Sequence, residues 1–169
     1  MNNKSKYSKI VDSPLGNILI ESNENNITSI SFESDDFAGE ENRLAICTGG
    51  NETEVLRLAA RQLDEYFQGL RCDFTLPLEP QGTRFQQKVW HAIEAVPYSE
   101  TTNYAEIAMQ IENPKAYRAV ARACGANPYP IVVPCHRIIA SDGTLGGYSC
   151  GLWRKEFLLS LEDNGSKLE

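Results

Sequence analysis

Residues 104–124, YAEIAMQIENPKAYRAVARAC, decide the fold, because they read as two short helices joined by a tight turn. Tyr104, Ile107, Ala108 and Ile111 recur at helical spacing. Asn113-Pro114 then supplies a helix start, an asparagine N-cap followed by a proline at the first helical position. The second helix is expected to bury Ala116, Ala119, Val120 and Ala123. That leaves Lys115, Arg118 and Arg122, at i, i+3 and i+7, as one positive stripe. A solvated charged face is the plain reading of such a stripe. The small residues around Arg118 favour a helix that approaches another surface closely. For a basic second helix of a helix-turn-helix, that surface is DNA.

Working outward, Phe85, Val89, Ala92, Ile93 and Val96 mark an amphipathic helix that ends before VPYSET. On the other side, IVVPCHRII (131–139) resembles a buried strand with three unusual members. Towards the N-terminus, YSKIV and GNILIES read as strands joined by a DSPLG turn, and NITSISFES as a third. DDFAGEENRLAICTGGNET reads as a polar loop. Val55, Leu58, Ala59, Leu63, Tyr66 and Phe67 give a helix, and CDFTLPLEP (72–80) is expected to be a last strand. PQGT (80–83) marks a boundary. The fold class is therefore α+β. A small N-terminal α/β scaffold domain spans 1–80, and a mainly helical domain carrying the helix-turn-helix spans 81–169.

Composition excludes several classes. Hydrophobic residues make up 41% and charged residues 23%, as in ordinary globular proteins. The opening MNNKSKYSKIVDSPLG has no apolar leader core, and no apolar run nears the roughly 18 residues of a membrane span. The expectation is a cytoplasmic protein (nuclear in a eukaryote) with no membrane partner, and a monomer. Five scattered cysteines without CxxC spacing, with only His91 and His136 to help, argue against disulfides, metal and cofactor. The net charge of −7 lies wholly in the first half. Residues 1–81 hold 7 basic and 14 acidic side chains, whereas 82–165 hold 8 of each. The acidic sum therefore does not oppose a nucleic-acid partner for the second half.

The chemistry concentrates at Cys135. Free cysteine is among the most buried residue types, so a core thiol is the plain reading. His136 and Arg137 are costly to bury unpaired, however, and Pro134 cannot donate to a central ladder. A cysteine nucleophile needs a base, and the adjacent histidine is one. In a regular strand the two side chains would face opposite ways, so a bridging water or a turn at Pro134-Cys135 would be required. On the residues alone, an unrelated cysteine hydrolase or transferase stays open. So does a regulator built on the same helix-turn-helix.

FQQKVW, VPYSETTNYAEIA, NPKAYRAVARA, GANPYPIVV, PCHR and GGYSCGLWRKEFLLSLE, in that order over residues 82–162, closely resemble the O6-alkylguanine-DNA alkyltransferases. The first half resembles them weakly, at SPLG. The resemblance implies a ribonuclease-H-like N-terminal domain and a winged helix-turn-helix. It implies a repair protein that flips out O6-alkylguanine from double-stranded DNA, with O4-alkylthymine as a further substrate, and moves the alkyl group irreversibly onto its own cysteine. Cys135 would be the acceptor. His136 would draw off the thiol proton through a water, held by Glu162. Asn127 would brace the turn, and Tyr104 would protonate the leaving guanine. Ser149, Tyr148 and the backbone at Ile138 would contact the base, with Trp153 as another aromatic wall. Arg118 would fill the gap in the duplex, flanked by Lys115, Arg122 and Tyr117. Ile138 replaces the family's usual valine, Tyr117 a residue that is often small, and Cys150 a common glycine. His91 matches no catalytic position. A non-enzymatic lesion-binding relative is the alternative within this resemblance.

Overall fold

The computed structural model describes residues 7–33 and 52–165, in two compact units, Met1–Glu79 and Pro80–Glu169. Most of the polar stretch 35–53, including Cys47, lies outside the described residues.

In the first unit, β1 (Tyr7–Val11), β2 (Ile18–Ser22) and β3 (Ile27–Phe32) form an antiparallel sheet in that order. Its register pairs Lys9 with Ile20 and Ile20 with Ile30. Ile18, Ile20 and Ser22 are buried while Leu19 and Glu21 are less so, the period of two that a sheet covered on one face requires. Helix α1 (Glu54–Phe67) lies against the sheet and buries Leu56, Ala59, Leu63 and Tyr66. Thr53 caps it by accepting from the Leu56 amide. The expected strand at 72–80 is not formed. Pro77 and Pro80 remove two ladder donors, and a single parallel bridge, Ile27 to Leu78, remains. Gln62, buried on α1, holds this segment instead: its amide donates to the Thr75 hydroxyl (2.8 Å) and its carbonyl accepts from the Thr75 amide (2.9 Å).

The second unit is mainly helical. Helix α2 (Arg84–Glu94) opens with a capping box between Thr83 and Gln86 and buries Val89, Trp90 and Ile93. The short strand β4 (Thr102–Asn103) leads into α3 (Tyr104–Gln110), where Asn103 accepts from the Ala105 and Glu106 amides, both at 3.0 Å. A tight turn with Glu112 at φ 59° and a 3-10 turn (Pro114–Ala116) lead into α4 (Tyr117–Gly125). The expected cap is absent, since the Asn113 side chain makes no capping bond and the α-helix starts four residues later. Trp90 Nε1 donates to the Ala123 carbonyl at 2.8 Å, tying α2 to α4 inside the core. The strand β5 (Ile138–Ile139) pairs with β4 in parallel, and α5 (Leu152–Gly165) follows. Among the described residues no helix is long and apolar enough to cross a membrane.

Candidate active site

The run 131–139 is not a regular strand. Pro130 and Pro134 withdraw two backbone donors, and Ile131 sits at φ 73°, a left-handed conformation that a β-branched residue adopts only when its surroundings force it. Asn127 supplies the missing partners. Its side-chain carbonyl accepts from the Tyr129 amide (2.9 Å), and its amide donates to the Val133 carbonyl (2.9 Å). Cys135–Arg137 then form one 3-10 turn, closed by Arg137 N donating to the Pro134 carbonyl at 3.0 Å. A turn at this point removes the opposed orientation a strand would impose. Cys135 lines a cavity, while His136 and Arg137 run into the interior.

The cavity has a volume of about 490 Å³. Ala121, Cys124 and Gly125 of α4 form one wall, Tyr104 of α3 another, and Gly147, Tyr148 and Ser149 the loop side. The exposed side chains of Lys115, Arg118 and Arg122 lie on the 3-10 turn and helix that supply the α4 wall. One segment thus carries a basic face and a pocket wall together. Tyr117 is exposed, with the Arg118 guanidinium 5.7 Å from its ring centroid.

Behind the thiol is a buried charge cluster. His136 and Glu162 are fully buried, with Nε2 and Oε1 2.7 Å apart. Arg137 donates to both carboxylate oxygens (2.9 and 3.0 Å) and to the Val96 carbonyl (2.7 Å), and the Ser99 amide reaches Oε2 at 3.2 Å. Burial pushes the Glu162 carboxyl up, but the bonds from His136 and Arg137, with the guanidinium charge, win and hold it at about 2. Burial holds His136 below the usual imidazole range. The consistent state is a carboxylate accepting from Nε2–H of a neutral imidazole, which places the lone pair on Nδ1. Nδ1 is buried and makes no hydrogen bond within the described residues.

Burial also pushes the Cys135 thiol up to about 11, opposed by the Asn127 amide, which donates to Sγ at 3.2 Å. Tyr104 is raised, first by burial and then by Cys124 and Cys135, so its phenol stays protonated and able to donate. The Tyr148 hydroxyl is buried beside the Cys150 thiol, and burial raises its pKa.

The structure brings Cys135, His136, Glu162, Asn127, Tyr104, Tyr148 and Ser149 to one place. Ile138 is fully buried and does not line the cavity; its carbonyl accepts from Lys155 Nζ at 2.6 Å. Trp153 is not a pocket wall. It is 53% exposed, with the Arg154 guanidinium 4.5 Å from its ring centroid. His91 faces solvent beside Glu94. Three residues escaped the sequence reading: Cys124 in the cavity wall, Arg137 on Glu162, and Lys155. Lys155 is a fully buried ammonium donating to the Ile138, Leu145 and Gly147 carbonyls. The spacing of Lys155, Leu158 and Glu162 at i, i+3 and i+7 was the available signal for Lys155, since it shares the buried face of α5.

Residues 84–164 match the family profile described as 6-O-methylguanine DNA methyltransferase, DNA binding domain, and residues 6–80 match its ribonuclease-like domain. A methylated-DNA–protein-cysteine methyltransferase of Methanosarcina barkeri is 46% identical over 94% of this chain and 98% of its own. The chain belongs to the 6-O-methylguanine DNA methyltransferase family. The constitutive enzyme of that name from Bacillus subtilis is 42% identical over 92% of this chain and 94% of its own. The solved O6-methylguanine methyltransferase of Mycobacterium tuberculosis superposes with a TM-score of 0.81 at 37% identity, covering 96% of each chain. That organism's protein in complex with DNA gives 0.82 at 36% identity over 94% of each. Family membership bears out the α+β fold with a ribonuclease-like first half and a DNA-binding second half.

Proposed function

We propose that this protein repairs O6-alkylguanine in double-stranded DNA by moving the alkyl group onto Cys135, once per molecule. The observation that carries this reading is the continuity of the segment 115–125 from a basic face to the wall of the cavity that holds Cys135. A base turned out of a duplex at that helix has a pocket to enter. The target carbon is out of reach while the base is stacked, so extrusion at a cost of a few kcal/mol must precede the chemistry.

In the transfer, Cys135 Sγ bonds to the O6-alkyl carbon and the carbon–oxygen bond breaks, its electron pair going to the guanine. The thiol proton passes to His136 Nδ1, relayed through one water, and Glu162 stabilises the imidazolium that forms. Tyr104 protonates the purine as it leaves, so neutral guanine is the leaving group. Asn127 holds the thiol in place. Tyr148 and Ser149 close on the base, and the backbone at Cys135 meets its edge. Arg118 occupies the space left in the helix, with Lys115 and Arg122 on phosphates and Tyr117 beside it. The product is a thioether, which this set of residues has no means to hydrolyse, so turnover stops at one. The protein acts as a monomer, in the compartment that holds the DNA, the cytoplasm in a prokaryote.

Intact mass spectrometry after incubation with duplex O6-methylguanine DNA tests this. One added methyl on Cys135, absent in Cys135→Ala, is the expected result. Unchanged mass with tight lesion binding would instead make the protein a non-enzymatic lesion reader, and repeated turnover would sink the single-use mechanism.

A further inference from the structure

Tyr117 is a large, exposed aromatic on the helix that carries the basic face. It is the first residue of α4, left 45% exposed beside the basic stripe of Lys115, Arg118 and Arg122. The first residues of a recognition helix are the ones that reach into a groove. The Arg118 guanidinium lies 5.7 Å from the Tyr117 ring centroid, within the roughly 6 Å range of a cation–π contact. The two side chains are therefore already gathered into one unit before any DNA arrives.

We propose that Tyr117 is the stacking half of a two-residue wedge. Arg118 supplies the hydrogen bonds for the base left without a partner, and the Tyr117 ring lies against the base pair exposed when the alkylated nucleotide leaves. This rests on the reading of α4 as the helix that enters the duplex. Two physical arguments support it. Residues 82–165 carry 8 basic and 8 acidic side chains, so general attraction to phosphates is weak and the open duplex must be stabilised by contact at the lesion. Stacking on an aromatic ring is also indifferent to sequence, because every base has a π-face. A repair protein that meets its lesion beside any neighbour needs that indifference, and side chains inserted between base steps hold a duplex open in just this manner.

The test compares alkyl-transfer rates from duplex O6-methylguanine DNA and from the free O6-methylguanine base. The ratio of the two isolates the opening of the duplex from the chemistry. Tyr117→Ala and Tyr117→Leu are expected to lower the duplex-to-free-base ratio about tenfold, within the range of base–aromatic stacking. Tyr117→Phe, which keeps the ring, should hold the ratio within about twofold. In an Arg118→Ala background, Tyr117→Ala should lower the ratio further. A ratio unmoved by Tyr117→Ala, or an equal fall in Tyr117→Phe, overturns the proposal. So does the absence of any further fall in the double variant, which would show that the ring only holds Arg118. If the unaltered protein takes no alkyl group from duplex DNA, it is the repair reading that fails, and the two failures are told apart.

Discussion

Glu162→Gln is the change that most directly tests the buried cluster. The carboxylate is fully buried and receives His136 Nε2 (2.7 Å), Arg137 through two nitrogens (2.9 and 3.0 Å) and the Ser99 amide (3.2 Å). A carboxamide has one oxygen for these donors and turns an NH₂ towards the rest, while Arg137 loses its counter-charge in the interior. Removing one partner of a buried ion pair costs about 3–5 kcal/mol. The titration leads to the same size. A carboxyl held at about 2 rather than near 4.5 carries about 3 kcal/mol of stability that depends on pH. Its folded pKa is depressed, so that stability is fully present above the unfolded value and is lost as pH falls from about 4.5 towards 2. Urea unfolding from pH 7 to pH 2 measures it. The variant should lie about 3 kcal/mol below the parent at pH 7, and the gap should close through that acid window. The alkyl-transfer rate should fall by about a hundredfold or more, as when a positioned base loses its orientation. A gap under about 1 kcal/mol at pH 7, or one that stays constant down to pH 2, would refute the reasoning.

Further outcomes follow from other contacts. Arg118→Ala should slow transfer from duplex DNA at least tenfold more than transfer from the free base, since its part is to hold the duplex open; equal losses contradict that part. Asn127→Ala removes its bonds to the Val133 carbonyl and from the Tyr129 amide, and should cost about 1–2 kcal/mol in urea unfolding. The same change removes the donor to Sγ, so carboxymethylation of Cys135 at neutral pH should slow as its thiol rises further. Trp90→Phe keeps the ring packing but removes the shorter of the two bonds to the Ala123 carbonyl, which keeps only the Ala126 amide at 3.2 Å, and should lower stability by about 1 kcal/mol in thermal unfolding.

The helix-turn-helix was legible because each helix repeats apolar residues over a full turn or more, and the packing of Ile107, Ala108, Val120 and Ala123 follows that pattern. Segments governed by single backbone events were not. IVV looks like strand residues, yet two prolines and a left-handed Ile131 turn the chain there, the Asn127 side chain completes the bonding, and only II pairs, as β5. The segment 72–80 failed in the same way, since its prolines leave one bridge where a ladder was expected. At Asn113 the cap is missing, because the chain enters α4 through a 3-10 turn. Charged residues were hard for a different reason. Arg137 and Lys155 are solvated by default; the apolar run around Arg137 and the spacing of Lys155 with Leu158 and Glu162 hint at burial, but neither names the partners. Glu162 was found only through the resemblance, because a carboxylate 26 positions from its histidine leaves no trace in spacing.

Two thiols face one cavity, and their difference explains which is assigned the chemistry. Burial pushes Cys124 up to about 12 and Cys135 up to about 11. Burial thus keeps both thiols protonated at neutral pH, and the resting anion is scarce. The proton must therefore leave as the sulfur attacks, and only a thiol with a base at hand can do that. Cys135 is followed directly by His136, whose Nε2 is bonded to Glu162 and whose Nδ1, the base in the proposed transfer, makes no hydrogen bond among the described residues. Cys124 sits in the middle of a helical wall with alanine and glycine beside it. For an acceptor used once, a high resting pKa is also protective. A thiol held protonated until a base fills the pocket is spared from electrophiles in solution, and the cost of burial becomes the means by which the single reaction is kept for the lesion.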